Sequence, residues 1–299
     1  MNDQASALRK MVNNNQGKKE SNQERNDKEN KTRVIAVASG KGGVGKTNLS
    51  VNLAYALNDL DKKVLIMDGD IGMANIDILL GVTTPYSLKH VIEGKCSVEE
   101  AIVETHKGLN ILAGISGEEV FMDMGEEKIN RLFGASSHLQ EKYDIIIIDI
   151  GAGAHQNVLN FIQAADEALI VLTPEPTAIM DAYSLIKILS NHNFRNEVAL
   201  IVNMADTNNE GNDVISRMNN VIKEYLNIKL KFTSIIPYDK KVVSSVKKQE
   251  SLFELYPSSK VVESYKDIAY KLIDKEKNEE KSQNIKGFFS KVVGLFKKG

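Results

Sequence analysis

Short apolar runs recur along the chain at residues 34–38, 64–67, 145–148, 167–172 and 198–202, with a more alternating one at 230–236. Runs this short, apolar on consecutive positions and rich in Val and Ile, are what strands buried on both faces of a parallel sheet require. Between them the apolar positions change period. Leu49, Val51, Leu53, Ala54 and Leu57 are spaced to turn one face of a helix toward a sheet, and residues 126–142, 212–225, 240–248 and 259–273 read as further covering helices. Residues 85–124 are less regular and predict short helices near 88–92 and 98–103, then a strand at 109–113. The alternation predicts an α/β domain with a mostly parallel central sheet of about eight strands and helices on both faces.

The two ends depart from this pattern. Residues 13–31 are Asn, Gln, Lys, Glu and Ser with almost no apolar side chain, so nothing offsets the cost of ordering them and a disordered tether is expected. Before it, Ala5, Leu8, Met11 and Val12 would line one stripe of a helix capped by Asp3. Ten residues cannot hold a helix alone, but a partner's groove could order them. At the other end, after a charged linker at 276–284, Ile285, Phe288, Phe289, Val292, Val293, Leu295 and Phe296 fall within roughly a 160° arc, with Lys286, Lys291, Lys297 and Lys298 outside it. This stretch is too short to cross a bilayer, which takes about 20 residues, but it suits the interface of an anionic membrane, apolar side down. A helix packed on its own domain is the other reading. Two glycines and four lysines without an acidic residue favour the lipid one. Each lysine near such a surface is worth ~1 kcal/mol, so one tail binds weakly and two on a dimer bind together. The expected layout is a partner-binding motif at 1–12, a linker at 13–31, a nucleotide domain at 32–275, a linker at 276–284 and a membrane-targeting helix at 285–299.

Composition narrows the class. The 299 residues carry 42% hydrophobic residues and a formal net charge of −2, which argues against a surface that is mainly a nucleic-acid footprint. Cys96 is the single cysteine, so no disulfide within the chain is available and a reducing cytoplasm fits. The five histidines have no metal-ligand spacing, and the polar N-terminus has no signal-peptide pattern.

The chemistry is concentrated between the first strand and the first helix, in Ser39-Gly40-Lys41-Gly42-Gly43-Val44-Gly45-Lys46-Thr47-Asn48. The spacing is GxxxxGK[ST], a phosphate loop. Its backbone N–H groups and the positive end of the following helix hold the phosphates of a nucleotide, Lys46 reaches the outer ones, and Thr47 is placed to ligate Mg²⁺. Gly42, Gly43 and Gly45 let the main chain wrap the anion. Strands 64–67 and 145–148 end in Asp68-Gly69-Asp70 and Asp149, and parallel strands deliver ligands at their carboxyl ends. Asp149 fits the Walker B position, holding the magnesium shell, and Gly151-Ala152-Gly153 supplies a flexible switch beside it. Lys41 is a second ammonium where one is the rule. It is either a solvated loop lysine or a cation that reaches the phosphates of a second subunit, as arginine fingers do elsewhere.

GKGGVGKT resembles the deviant Walker A of the MinD/ParA ATPases, and the resemblance extends over about residues 33–275. It implies ATP and Mg²⁺ as ligands and a nucleotide-sandwich homodimer across which Lys41 acts. Asp68 would bond Mg²⁺-bound water near Thr47, and Asp70 would orient the attacking water. Residues 71–81 would be the first switch. Asn203 would meet adenine's edge, and Pro237-Tyr238-Asp239 resembles the turn that packs by the base. Asp206 gives an N-x-x-D spacing reminiscent of guanine-binding GTPases, but the lysine-bearing Walker A belongs to the ATPase branch. Thr173-Pro174-Glu175-Pro176-Thr177 forces an extended loop before a helix that Thr177 would cap, and Thr173 to Tyr183 is similar to a dimer-face segment of FlhG-type flagellar number regulators. Asp3-Gln4-Ala5-Ser6-Ala7-Leu8-Arg9 is similar to the DQAxxLR motif of that branch. That similarity implies stimulation of an FlhF-type GTPase of the signal-recognition-particle class, with Gln4 helping to order catalytic water in the partner. C-ring or basal-body components of the flagellum are the further partners it implies. A division-site regulator of the MinD type lacks that terminus, a ParA-type partitioner needs a basic DNA-binding face, and nitrogenase-iron-protein relatives need paired cysteines. A nucleotide-gated scaffold with incidental hydrolysis is the alternative of a different class. Slow hydrolysis is expected, since no strong general base is evident. The location expected is cytoplasmic, with reversible attachment to the inner face of the cell membrane.

Overall fold

The computed structural model describes residues 32–70, 76–105, 108–114, 124–192, 194, 196–226, 228–274 and 284–297. The N-terminal motif with Asp3, Gln4, Ala5, Leu8 and Arg9, the tether at 13–31, residues 71–75 of the first switch, the linker to residue 283 and Lys298 lie outside them.

The elements in chain order are β1 (Arg33–Ser39), α1 (Lys46–Asn58), β2 (Val64–Gly69), α2 (Ile76–Leu80), α3 (Leu88–Ile92), α4 (Val98–Ala101), β3 (Ile102–Glu104), β4 (Asn110–Leu112), α5 (Glu126–Lys142) and β5 (Ile145–Ala152). They continue with α6 (Gln156–Ala164), β6 (Glu167–Leu172), α7 (Pro176–Asn191), β7 (Glu197–Ala205), α8 (Asn208–Tyr225), β8 (Leu230–Pro237), α9 (Lys240–Lys248), α10 (Leu252–Leu255), α11 (Lys260–Ile273) and α12 (Ile285–Phe296). The strands form one 8-stranded sheet in the order β3-β4-β2-β5-β1-β6-β7-β8. Every pairing is parallel except β3 with β4.

Each strand serves two cores because successive side chains point to opposite faces. Along β1, Val34, Ala36 and Ala38 join the cluster under α5, α6, α7 and α8, while Ile35 and Val37 join the one under α1 and α11. β5, which is mainly isoleucine, lies between β1 and β2. Asp149 at its far end is thereby fixed beside the loop that follows β1.

Local chemistry moves several boundaries. The helix near 98–103 ends at Ala101, because Ile102–Glu104 pairs with β4 as an antiparallel edge strand. α8 starts at Asn208, ahead of the expected 212, since the Thr207 side chain accepts from the Glu210 N–H and closes the first turn there. Thr177 does not cap α7. Glu175 occupies the cap with Pro176 just inside it, where a missing N–H costs nothing.

The C-terminal stretch forms the expected helix, but its apolar face is not free. Ile285, Phe288, Phe289, Val292, Val293 and Phe296 are all buried in the domain's own core cluster, with α12 lying against α5 and α6. Phe161 of α6 stacks on Phe288 (centroids 6.4 Å apart) and meets Phe296 edge-on at 5.9 Å. Asn284 caps the helix through the Gly287 N–H. Lys286 sits 5.4 Å over the Phe133 ring and the Lys297 ammonium donates to the Met124 carbonyl at 3.2 Å. An apolar stripe is satisfied equally by lipid or by a hydrophobic furrow, and the furrow between α5 and α6 supplies the second. Among the described residues no helix is long and apolar enough to cross a membrane.

Candidate nucleotide site

The loop between β1 and α1 holds its shape through close packing. Gly45 has φ 88°, and a Cβ there would fall 2.4 Å from Asn203 Nδ2. Gly40 lies so close to α7 that a Cβ would meet the Asp181 carbonyl at 2.3 Å. Lys46 and Thr47 open α1, whose first turn carries no acidic residue, so the positive end of the helix faces the loop undiluted. Val44 is buried, Lys41 and Asn48 are partly exposed, and Gly42 and Gly43 stand open.

The carboxylates meet this loop from β2 and β5. The Thr47 hydroxyl donates to Asp149 Oδ2 at 2.6 Å, and the Ser50 hydroxyl lies 3.0 Å from Oδ1. Asp149 is buried, which pushes its carboxyl upward. The Thr47 hydroxyl, the Lys46 charge and the Ser50 hydroxyl pull it down, and neighbouring Asp70 pushes it up again. Asp68, also buried, accepts from the Asp70 N–H at 3.0 Å. The carboxylate of Asp70 lies against Gly151, whose added Cβ would meet Oδ1 at 3.4 Å.

This donor set fits Mg²⁺ in the way nucleotide enzymes hold it. Among the described residues no group of three or more His, Cys, Asp or Glu could cage a metal. A hard cation that keeps its waters and binds mainly phosphate needs only one hydroxyl and carboxylates in reach, and Thr47, Asp149 and Asp68 are those groups.

Two other expected residues are placed differently from the simplest expectation. Asn203 is buried, donates from Nδ2 to the Val44 carbonyl at 2.8 Å and accepts at Oδ1 from the Met204 N–H at 3.0 Å. It braces the phosphate loop from below, leaving one amide hydrogen for a base. Lys41 is partly solvent-exposed but not isolated: its ammonium donates to Glu175 Oε2 at 2.9 Å and Thr177 Oγ1 at 3.0 Å. The Pro237-Tyr238-Asp239 turn sits beside the end of β7, with the Tyr238 N–H donating to the Ala205 carbonyl and Asp239 capping α9. Sequence reasoning passed over Ser50 and Glu175. A serine at the centre of a helical pattern gives no signal, and Glu175 lies in a proline-bounded segment whose resemblance points to a dimer face without singling out that residue.

A family model for ParA, described as NUBPL iron-transfer P-loop NTPase, matches residues 30–273. The chain belongs to the ParA/MinD family of P-loop NTPases. Within that family, antiactivator FleN of Pseudomonas aeruginosa is 38% identical over 239 residues, 80% of this chain and 85% of FleN. Flagellum site-determining protein YlxH of Helicobacter pylori is 34% identical over 271 residues, 89% and 92% of the two chains. Among solved structures, the MinD of Pyrococcus horikoshii complexed with Mg-ADP superposes with a TM-score of 0.64 at 26% identity, covering 84% of this chain and 99% of that one. In this P-loop ATPase family member the loop, β2 and β5 converge on side chains whose chemistry fits a nucleotide's phosphates and Mg²⁺.

Proposed function

We propose that this chain is a switch that binds and slowly hydrolyses ATP, dimerises in the ATP state, and regulates the number or placement of flagella from the membrane surface. The relatives FleN and YlxH, named for antiactivation and for flagellum site determination, support the flagellar role. In this reading Asp70 orients the attacking water, and the Mg²⁺ held by Thr47 with Asp149 and Asp68 offsets the charge of the phosphates. Lys41 leaves Glu175 and Thr177 to reach the partner copy's nucleotide. That pair is exposed, and an exposed ion pair contributes only about 0–1 kcal/mol, so giving it up is easily offset. Residues 1–12 engage an FlhF-type GTPase, with Gln4 acting in its active site, and C-ring components are further partners.

One observation carries the switch. α6 begins three residues after Gly153 in the second-switch segment, whose N–H is held by the Ser39 carbonyl at 2.9 Å, and the same helix forms the seat of α12. A change at Asp149 and Gly151 that moves α6 alters the seat. The tail can then exchange it for lipid, and two released tails on one dimer bind together.

Liposome sedimentation tests this. With anionic vesicles, wild type should pellet in Mg·ATP and stay in solution in Mg·ADP. Lys286→Glu with Lys291→Glu, both on the exposed side of α12, should abolish pelleting and leave ATP hydrolysis within about twofold. Equal pelleting of wild type in both nucleotides removes the switch. In parallel, a peptide of residues 1–12 should stimulate an FlhF-type GTPase, and an equal effect from the Gln4→Ala peptide removes that arm.

A further inference from the structure

Asp149 is buried, and in the proposed metal site it must keep one oxygen turned toward Thr47. A carboxylate on a strand end rotates about its last bond unless both oxygens are held. The Thr47 hydroxyl cannot be what holds it, because that hydroxyl is the group a magnesium ion takes over. The other oxygen, Oδ1, faces the hydroxyl of Ser50 at 3.0 Å. Ser50 is fully buried on α1, one turn beyond Lys46.

A serine in a helix ordinarily returns its hydrogen to the carbonyl four residues back, and the Lys46 carbonyl is available at 3.1 Å. One hydroxyl has one hydrogen. Of two acceptors at nearly equal distance, the charged one wins, since a hydrogen bond to an ionised group is about twice as strong as a neutral one. The Lys46 carbonyl loses little, because the helix ladder already uses it.

We infer that Ser50 is a positioning residue for the metal site: it holds Oδ1 of Asp149 so that Oδ2 faces Thr47 and the cation. This rests on the reading of Thr47 and Asp149 as the metal-side groups. Ser50 itself touches neither nucleotide nor metal. It sets the orientation of the carboxylate that does, so its effect belongs to metal affinity and not to the grip of the loop on phosphate.

The test uses the full chain with ADP, and Mn²⁺ as a spin probe in place of Mg²⁺. Electron paramagnetic resonance gives the Mn²⁺ dissociation constant of the ADP-saturated protein, and a fluorescent ADP competition in EDTA gives nucleotide affinity without metal. Ser50→Ala should raise the Mn²⁺ constant about tenfold, the loss of one charge-assisted hydrogen bond. Ser50→Thr, which keeps the hydroxyl, should stay within about twofold of wild type, and Ser50→Cys, with a weak donor, should fall between. Metal-free ADP affinity should be the same in all four proteins. A Ser50→Ala protein with wild-type Mn²⁺ affinity overturns the inference and leaves the hydroxyl to the Lys46 carbonyl. An equal loss of metal-free ADP affinity overturns it too, since the hydroxyl would then support the loop. If ADP fails to raise the Mn²⁺ affinity of wild type, the metal-site reading falls and this inference with it. If alanine does not fold, a Ser50→Cys protein that matches wild type suffices to overturn it.

Discussion

At the scale of single residues, the phosphate loop separates glycines that the protein's own packing requires from one that it does not. Gly45 combines a left-handed φ with a virtual Cβ 2.4 Å from the Asn203 amide, whereas Gly42 has nothing within 4 Å and no positive φ. Gly45→Ala should therefore cost about 1–3 kcal/mol in denaturant unfolding and weaken Mg·ATP binding by more than tenfold, because the loop cannot close around Asn203. Gly42→Ala should leave stability within about 0.5 kcal/mol of wild type. Equal effects of the two would show that the loop is not braced from below. These glycines, Lys46, Thr47 and Asp149 were legible because their chemistry sits in one contiguous motif or at the end of one apolar run. Ser50 and Glu175 were not. Their partners lie 99 and 134 residues away, at Asp149 and Lys41, and only the fold brings such pairs together.

At the scale of elements, the pattern placed most strands and covering helices but could not say what each apolar stripe faces. The continuous apolar runs of β1, β5, β6 and β7 form the strands they predict, since a strand buried on both sides has little freedom in what it can be. The short pieces β3 and α10 escaped because three or four residues carry no period. α12 is the instructive case. Its stripe was read correctly as a stripe, and its partner was a furrow assembled from α5 and α6, which no local window contains. Phe161 is the shared contact, so Phe161→Ala should loosen the seat without touching the tail. Sedimentation with anionic vesicles in the absence of nucleotide should rise several-fold over wild type, with far-UV circular dichroism unchanged. No rise would mean that α6 is not what retains the helix. Each phenylalanine held there is worth about 2–3 kcal/mol relative to exposure, enough that release has to be driven.

At the scale of the whole molecule, the proposed dimer predicts a simple separation of roles. Asp70→Ala, which leaves the loop intact, should block turnover and give a dimer by light scattering in Mg·ATP. Adding Lys41→Ala should return it to a single chain while nucleotide binding falls less than about tenfold, because Lys46 and the backbone still hold the phosphates. Dimers in both would leave Lys41 without a role across the interface. The sheet order and the parallel pairings place the carboxyl ends of β1, β2, β5 and β7 at one end of the sheet, so the residues proposed to hold metal, phosphates and base share a single surface.

The seat of α12 has a cost of its own. Were that helix to depart as proposed, a trench bordered by Phe133 and Phe161 would be left bare to water, and an apolar strip of this kind invites the nearest available cover. A copy that lets go far from a bilayer has only other such copies to lean on, so the liberated form should be the one that clumps in a test tube, and dispersed lipid should rescue its solubility.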